Sequence, residues 1–179
     1  MQNWKTTGRK VVLKRDRWLT VEDHSVELPD GRVIPDWPWI ITPDYINVLA
    51  VTEEDQFLCF RQTKYAIEGQ AYAPVGGYVE AGEDPLVAAQ RELQEELGYQ
   101  ASDWIFLGKY VVDANRGSGN GYLYLARNAT FVGHAESDDL EEMEPVKLTR
   151  EELRAALRAG EFKALSWAAT VALALERLS

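Results

Sequence analysis

A chain of 179 residues is long enough for one substantial domain with a small addition, and 46% apolar with 27% charged residues is ordinary for a globular protein. Twenty-nine acidic against nineteen basic residues give a net charge of −10, which argues against nonspecific binding to nucleic acid or an anionic membrane, since both ask for a basic surface. Cys59 is the one cysteine, no run approaches about 18 apolar residues, and residues 1–10 lack an apolar export stretch, so a reducing, cytoplasmic setting without membrane insertion is expected.

Residues 8–40 read as an antiparallel β appendage. Val11-Val12-Leu13 and Trp18-Leu19-Thr20-Val21 are β-prone runs, Ser25-Val26-Glu27-Leu28 alternates, and Pro29-Asp30-Gly31 turns the chain into Arg32-Val33-Ile34. Trp37-Pro38-Trp39 follows, and its proline argues against regular central-strand pairing. A second unit starts near Asp44, giving expected domains of 1–42 and 43–179. Strands are expected over 45–52 and 56–62 around a Glu53-Glu54-Asp55 turn, then over 104–112, 122–126 and 145–148, with a glycine-rich loop at 113–121. Thr149 and Glu152 form a capping-box pattern opening a helix that Gly160 ends, and 166–178 reads as a last helix. Alternating strands and helices predict an α/β fold, a mixed sheet with a helix on each side.

The chemistry concentrates in residues 77–99, GYVEAGEDPLVAAQRELQEELGY. Asp84-Pro85 reads as an N-cap with proline at the first helical position, and Gly98 as the stop. Leu86, Ala89, Leu93 and Leu97 recur at helical steps and form a packing stripe. Glu92, Glu95 and Glu96 fall on an adjoining face, where like charges repel. A solvated acidic face is one reading of that pattern. The other is a metal site, because Ala73-Pro74-Val75-Gly76-Gly77 forms a flanking loop whose glycines let backbone carbonyls approach an ion. Hard oxygen donors of this kind suit Mg²⁺ or Mn²⁺.

This segment resembles the Nudix box, with Gly77, Glu83, Arg91, Glu92, Leu93, Glu95, Glu96 and Gly98 at the constrained positions. The resemblance implies a Nudix fold, an α/β/α sandwich, and an enzyme that hydrolyses a nucleoside diphosphate linked to another moiety. It implies Mg²⁺ held by Glu92, Glu95 and Glu96 with the Gly77 carbonyl, Glu95 in the catalytic set, and Arg91 orienting a box glutamate. Gln62-Thr63-Lys64-Tyr65 and Ala73-Pro74-Val75-Gly76-Gly77 further resemble the ADP-ribose pyrophosphatase branch, which covers nucleoside diphosphate sugars. That branch implies a homodimer whose N-terminal sheets help build the sites. Arg61 and Lys64 then become candidate phosphate or sugar contacts, or edge-strand charges, and Trp37 or Trp39 a base-stacking surface or a packing element.

A catalytic glutamate before the last strand is also implied. The run at 136–144 offers Glu141 first, with Asp139 and Glu142 close behind, or a plain solvated loop. The branch's Ser-Pro-Gly-like loop is replaced by Asp113-Ala114-Asn115-Arg116-Gly117-Ser118-Gly119-Asn120-Gly121, with Arg116 as a candidate clamp. That departure leaves ADP-ribose open against ADP-, GDP- or UDP-hexoses. Dinucleotides, NADH, oxidised nucleotides and a non-cleaving nucleotide sensor are the other readings.

Overall fold

The computed structural model describes residues 1–133 and 142–178 and resolves two compact units, Met1–Asp44 with Tyr110–Asn120 and Tyr45–Lys109 with Gly121–Ser179. In chain order the elements are β1 (Lys5–Arg15), β2 (Leu19–Glu27), β3 (Val33–Ile41), β4 (Tyr45–Val51), β5 (Gln56–Gln62), β6 (Ala71–Ala73) and β7 (Val75–Tyr78). Then come α1 (Pro85–Leu97), β8 (Tyr99–Asp113), β9 (Gly117–Phe131), β10 (Met143–Thr149), α2 (Arg150–Arg158) and α3 (Leu165–Arg177).

In the first unit β1, β2 and β3 form an antiparallel meander, with Val21 opposite both Leu13 and Ile40. Irregular register between Val11 and Leu13 and between His24 and Val26 marks bulges, which raise local twist. Trp37-Pro38-Trp39 lies inside β3, a strand paired along its length on one side only and so not a regular central one. Pro38 faces Asp23 of β2, and on its other side β3 meets β9 only at Ile40 opposite Gly117. A missing N–H is tolerated along such an open edge.

The expected loop at 113–121 is also shorter than anticipated, since β9 begins at Gly117. Gly117, Ser118 and Gly119 all have positive φ, at 83°, 62° and 78°. A Cβ on Gly117 would lie 2.8 Å from the Trp39 ring, and one on Gly119 would lie 2.8 Å from the Thr42 hydroxyl. Close internal packing explains those two glycines.

The second unit carries a mixed sheet. β4 runs parallel to β9, with Val48 opposite Tyr124, and antiparallel to β5, which in turn pairs with β10 through Cys59 and Val146. β4 pairs with β5 only at Ala50 and Val51, whereas over Tyr45–Val48 its antiparallel partner is β7. The strands β4 and β5 therefore part at one end. The segment read as a glycine loop is this strand β7, with Gly76 opposite Asn47. Side chains alternate between two cores, as the two-residue period requires. Val48, Ala50, Leu58 and Phe60 join Ala89 and Leu93 of α1, while Leu49, Val51, Phe57 and Cys59 join Leu153, Val171 and Ala174 of α2 and α3. Helices thus cover both faces, the expected α/β arrangement. Burial raises the Cys59 thiol pKa to about 12, so it is inert packing.

Candidate functional site

The site is built on α1. Asp84 caps the helix by accepting the Leu86 N–H at 2.8 Å, with Pro85 in the first turn. At the far end Gly98 adopts φ 71° and donates its N–H to the Gln94 carbonyl at 2.8 Å. A Cβ there would stand 2.0 Å from the Gly133 carbonyl oxygen, so both backbone angle and space call for glycine. Ala88, Ala89, Leu93 and Leu97 are buried, which leaves Glu92 at the margin of the packed stripe and turns Arg91 and Glu95 away from it.

Arg91 organises that side. It donates from Nε to Glu83 Oε1 at 3.0 Å and from Nη2 to Glu83 Oε2 at 3.1 Å, a two-pronged pair. Its Nη1 donates to Glu92 at 2.8 Å and to Glu95 at 3.0 Å, and Nη2 also reaches the Tyr78 carbonyl at 3.3 Å. Hydrogen bonding from Arg91, together with the Glu80 N–H, holds the Glu83 carboxyl below its ordinary pKa, against the opposing effect of burial. The same contacts push the Arg91 guanidinium pKa upward. One cation among three carboxylates leaves the cluster net acidic.

Gly77 lies against this cluster. A Cβ at Gly77 would fall 2.0 Å from Glu92 Oε1, so only glycine lets that carboxylate rest on the β7 backbone. Beside it a cleft of about 220 Å³ opens where β4 and β5 part, with Lys64, Glu96 and Gly77 on its wall and Phe60, Met143 and Trp167 supplying apolar surface.

Three of the residues singled out from sequence, Lys64, Glu96 and Gly77, therefore share one cleft, while Arg91, Glu92 and Glu95 share one ion-pair cluster. Arg61 is exposed and donates to Gln70 at 2.8 Å instead of lining the cleft. Trp37 belongs to the first unit, where its Nε1 donates to the Asn115 carbonyl at 2.8 Å and its ring meets Trp4 edge-on at 5.2 Å. Those two indoles, with Trp39 stacked on buried His24 at 5.3 Å, line a pocket of about 340 Å³. Arg116 stands 3.5 Å from Asp113, whose carboxyl is held below its usual pKa chiefly by the Asn115 N–H. Glu141 and Asp139 lie outside the described residues, and Glu142 is exposed.

Sequence reasoning passed over Asn47 and quoted Gln62 only within the Gln62–Tyr65 run, not as a site residue; both are buried and both are on the cleft. For Asn47 a signal was present: one amide within the apolar run Tyr45-Ile46-Asn47-Val48-Leu49.

The residues fit a divalent ion in donor chemistry. Carboxylates on successive helical turns and a glycine cradle offer hard oxygens, and one carboxylate has lone pairs enough to serve an arginine and an ion together. Among the described residues, no three acidic, histidine or cysteine side chains already converge on one point. Glu92 and Glu95 are drawn toward Arg91 instead.

Comparison with known proteins assigns the class. The NUDIX domain family matches residues 42–168, and the nucleoside diphosphate sugar hydrolase N-terminal domain matches residues 4–40. The chain belongs to the NUDIX family and is a Nudix-type pyrophosphatase, similar to proteins of the ADP-ribose pyrophosphatase-like branch. It is 30% identical to an ADP-ribose pyrophosphatase of Bacillus subtilis over 78% of this chain and 73% of that one. It is also 30% identical to a CMP-5'-(N-acetyl-N-hydroxy-3-aminopropyl)phosphonate hydrolase of Streptomyces rubellomurinus over 73% of this chain, spanning 62% of that protein's length. The solved structure of an ADP compounds hydrolase superposes with a TM-score of 0.81 at 21% identity, covering 99% of this chain and 95% of that one. No helix among the described residues is long and apolar enough to cross a membrane.

Proposed function

We propose that this enzyme hydrolyses the pyrophosphate bond of a nucleoside diphosphate sugar, ADP-ribose or an ADP-, GDP- or UDP-hexose, to a nucleoside monophosphate and a sugar phosphate. The observation that carries the reading is the Arg91-centred carboxylate cluster beside a cleft that holds Lys64, Glu96 and Gly77. Glu92, Glu95, Glu96 and the Gly77 carbonyl would hold Mg²⁺, with Mn²⁺ as a substitute. When bound, such ions offset phosphate charge and acidify water.

The protein groups divide the remaining work. Arg91 keeps Glu83 ionised and holds Glu92 and Glu95 in place through its hydrogen bonds. Lys64 supplies a positive charge for a phosphate oxygen. Glu95, half exposed, and Glu141 are the candidates for taking a proton from the attacking water. Arg61 and Arg116 are further candidate phosphate or sugar contacts, and the indole pocket around Trp37 suits base stacking, worth about 1–3 kcal/mol per base.

The first unit also supports homodimerisation. Val26 is its only buried apolar side chain, whereas Val11, Val12, Val111 and Val112 are exposed. The lone buried thiol supports a reducing, cytoplasmic setting. A non-sugar nucleotide substrate is a second reading, favoured by the name of the Streptomyces relative.

Replacing Glu95 or Glu96 by Gln tests the site assignment. Each variant is expected to keep its melting temperature and lose turnover by about 100-fold or more with Mg²⁺ present. Wild-type turnover in both would overturn it.

A further inference from the structure

We infer that Asn47 and Gln62 determine specificity by accepting hydroxyl hydrogen bonds from the sugar half of the substrate seated in the cleft of the second unit. The inference rests on the nucleotide-sugar reading and names the part of the substrate that this cleft takes.

Both amides are almost wholly buried, at 3% and 5% exposure, and both line the cleft. Among the described residues neither Asn47 Oδ1 nor Gln62 Oε1 has a hydrogen-bond partner. Asn47 donates through Nδ2 to the Val75 carbonyl, a long contact of 3.5 Å, and that contact fixes Oδ1 as the acceptor. A buried acceptor without a donor costs free energy in the empty protein, and a ligand that brings the donor recovers it. Asn47 stands on β4 and Gln62 on β5, at the end where those strands part, so the two residues bound the cleft from neighbouring strands, with their acceptor oxygens buried beneath its surface.

The cleft's size and walls select the ligand fragment. At about 220 Å³ it is smaller than the roughly 300–1,000 Å³ of pockets that enclose a whole drug-sized ligand, so it holds only part of a nucleotide sugar. A sugar ring offers several hydroxyl donors and an apolar C–H face, which suits a cleft lined by two amide acceptors together with Phe60 and Trp167. Lys64 and Glu96 on the same wall put the phosphate end next to the ring.

The test compares kcat/KM for a nucleoside diphosphate hexose with its deoxyhexose counterpart on the same base, in wild type, Gln62→Met and Asn47→Leu. Methionine and leucine keep the volume and remove the acceptor. With the deoxy position taken round the ring in turn, the hydroxyl-to-deoxy preference is expected to fall about tenfold in each variant at the one position whose hydroxyl donates to the lost acceptor. Calorimetric affinities for the two sugar phosphate products supply the same ratio if a variant has lost turnover. An unchanged ratio at every position, or a changed base preference with an unchanged ratio, overturns the inference alone. No cleavage of either nucleotide sugar by wild type overturns the substrate reading beneath it.

Discussion

The two units of this chain contrast in how they are held together. The second has helices packed on both faces of a mixed sheet, with Phe57, Cys59, Leu93, Leu125 and Leu153 fully buried. In the first, Val26 is the sole buried apolar side chain among the described residues, and its strands are held mainly by ladder hydrogen bonds, short turns and indole contacts. A meander without a core of its own is marginal in water. The lesson is a division of labour: the second unit supplies the rigid scaffold for the carboxylate cluster, while the first leaves apolar and aromatic side chains exposed.

The largest expected effect comes from emptying the core of the second unit. Phe57→Ala is expected to cost about 3–5 kcal/mol in urea unfolding, whereas Val12→Ala on exposed β1 should stay within about 0.5 kcal/mol. Equal losses would erase the contrast.

Next in size is Val12→Asp, expected to weaken self-association by about tenfold or more in sedimentation equilibrium with the far-ultraviolet dichroism of the second unit unchanged. An unaltered association constant would show that this surface is not the interface.

Glycines sharpen the same comparison. Gly31 and Gly98 both have positive φ, but a Cβ at Gly31 meets open space and one at Gly98 meets a backbone oxygen. Gly31→Ala should cost about 1 kcal/mol, and Gly98→Ala distinctly more.

The smallest effect concerns acid. The folded pKa of Glu83 in the second unit and that of Asp113 in the first both lie below their ordinary values, 4.5 and 3.8. Each therefore stabilises the fold above its ordinary value, and that contribution is lost as pH falls through the depressed folded value. Arg91→Gln should flatten the loss of melting temperature below about pH 4.5. Asp113→Asn should alter only the limb below about pH 3.8, and by less, since its partners are more exposed.

Much of this was legible in local sequence. The limits of α1 follow from Asp84-Pro85 and Gly98, and the Thr149–Glu152 capping box opens α2 with both reciprocal hydrogen bonds formed. Those signals act within a few residues. What escaped depends on contacts distant in sequence. Pro38 sits in a strand because β3 meets β9 only at Ile40, and Gly76-Gly77 extends as β7 because Asn47 and Glu92 pack against its bare backbone. The site divides the same way. The box named Arg91, Glu92, Glu95 and Glu96, yet nothing local turns Arg61 toward Gln70 or brings Gln62 into the cleft with Lys64.

The most direct test is a product-identified assay of nucleoside diphosphate sugars with Mg²⁺ and with Mn²⁺. Metal-dependent release of a nucleoside monophosphate and a sugar phosphate is the predicted result, abolished by chelator. No cleavage with either ion, or cleavage that leaves the pyrophosphate intact, would contradict the account.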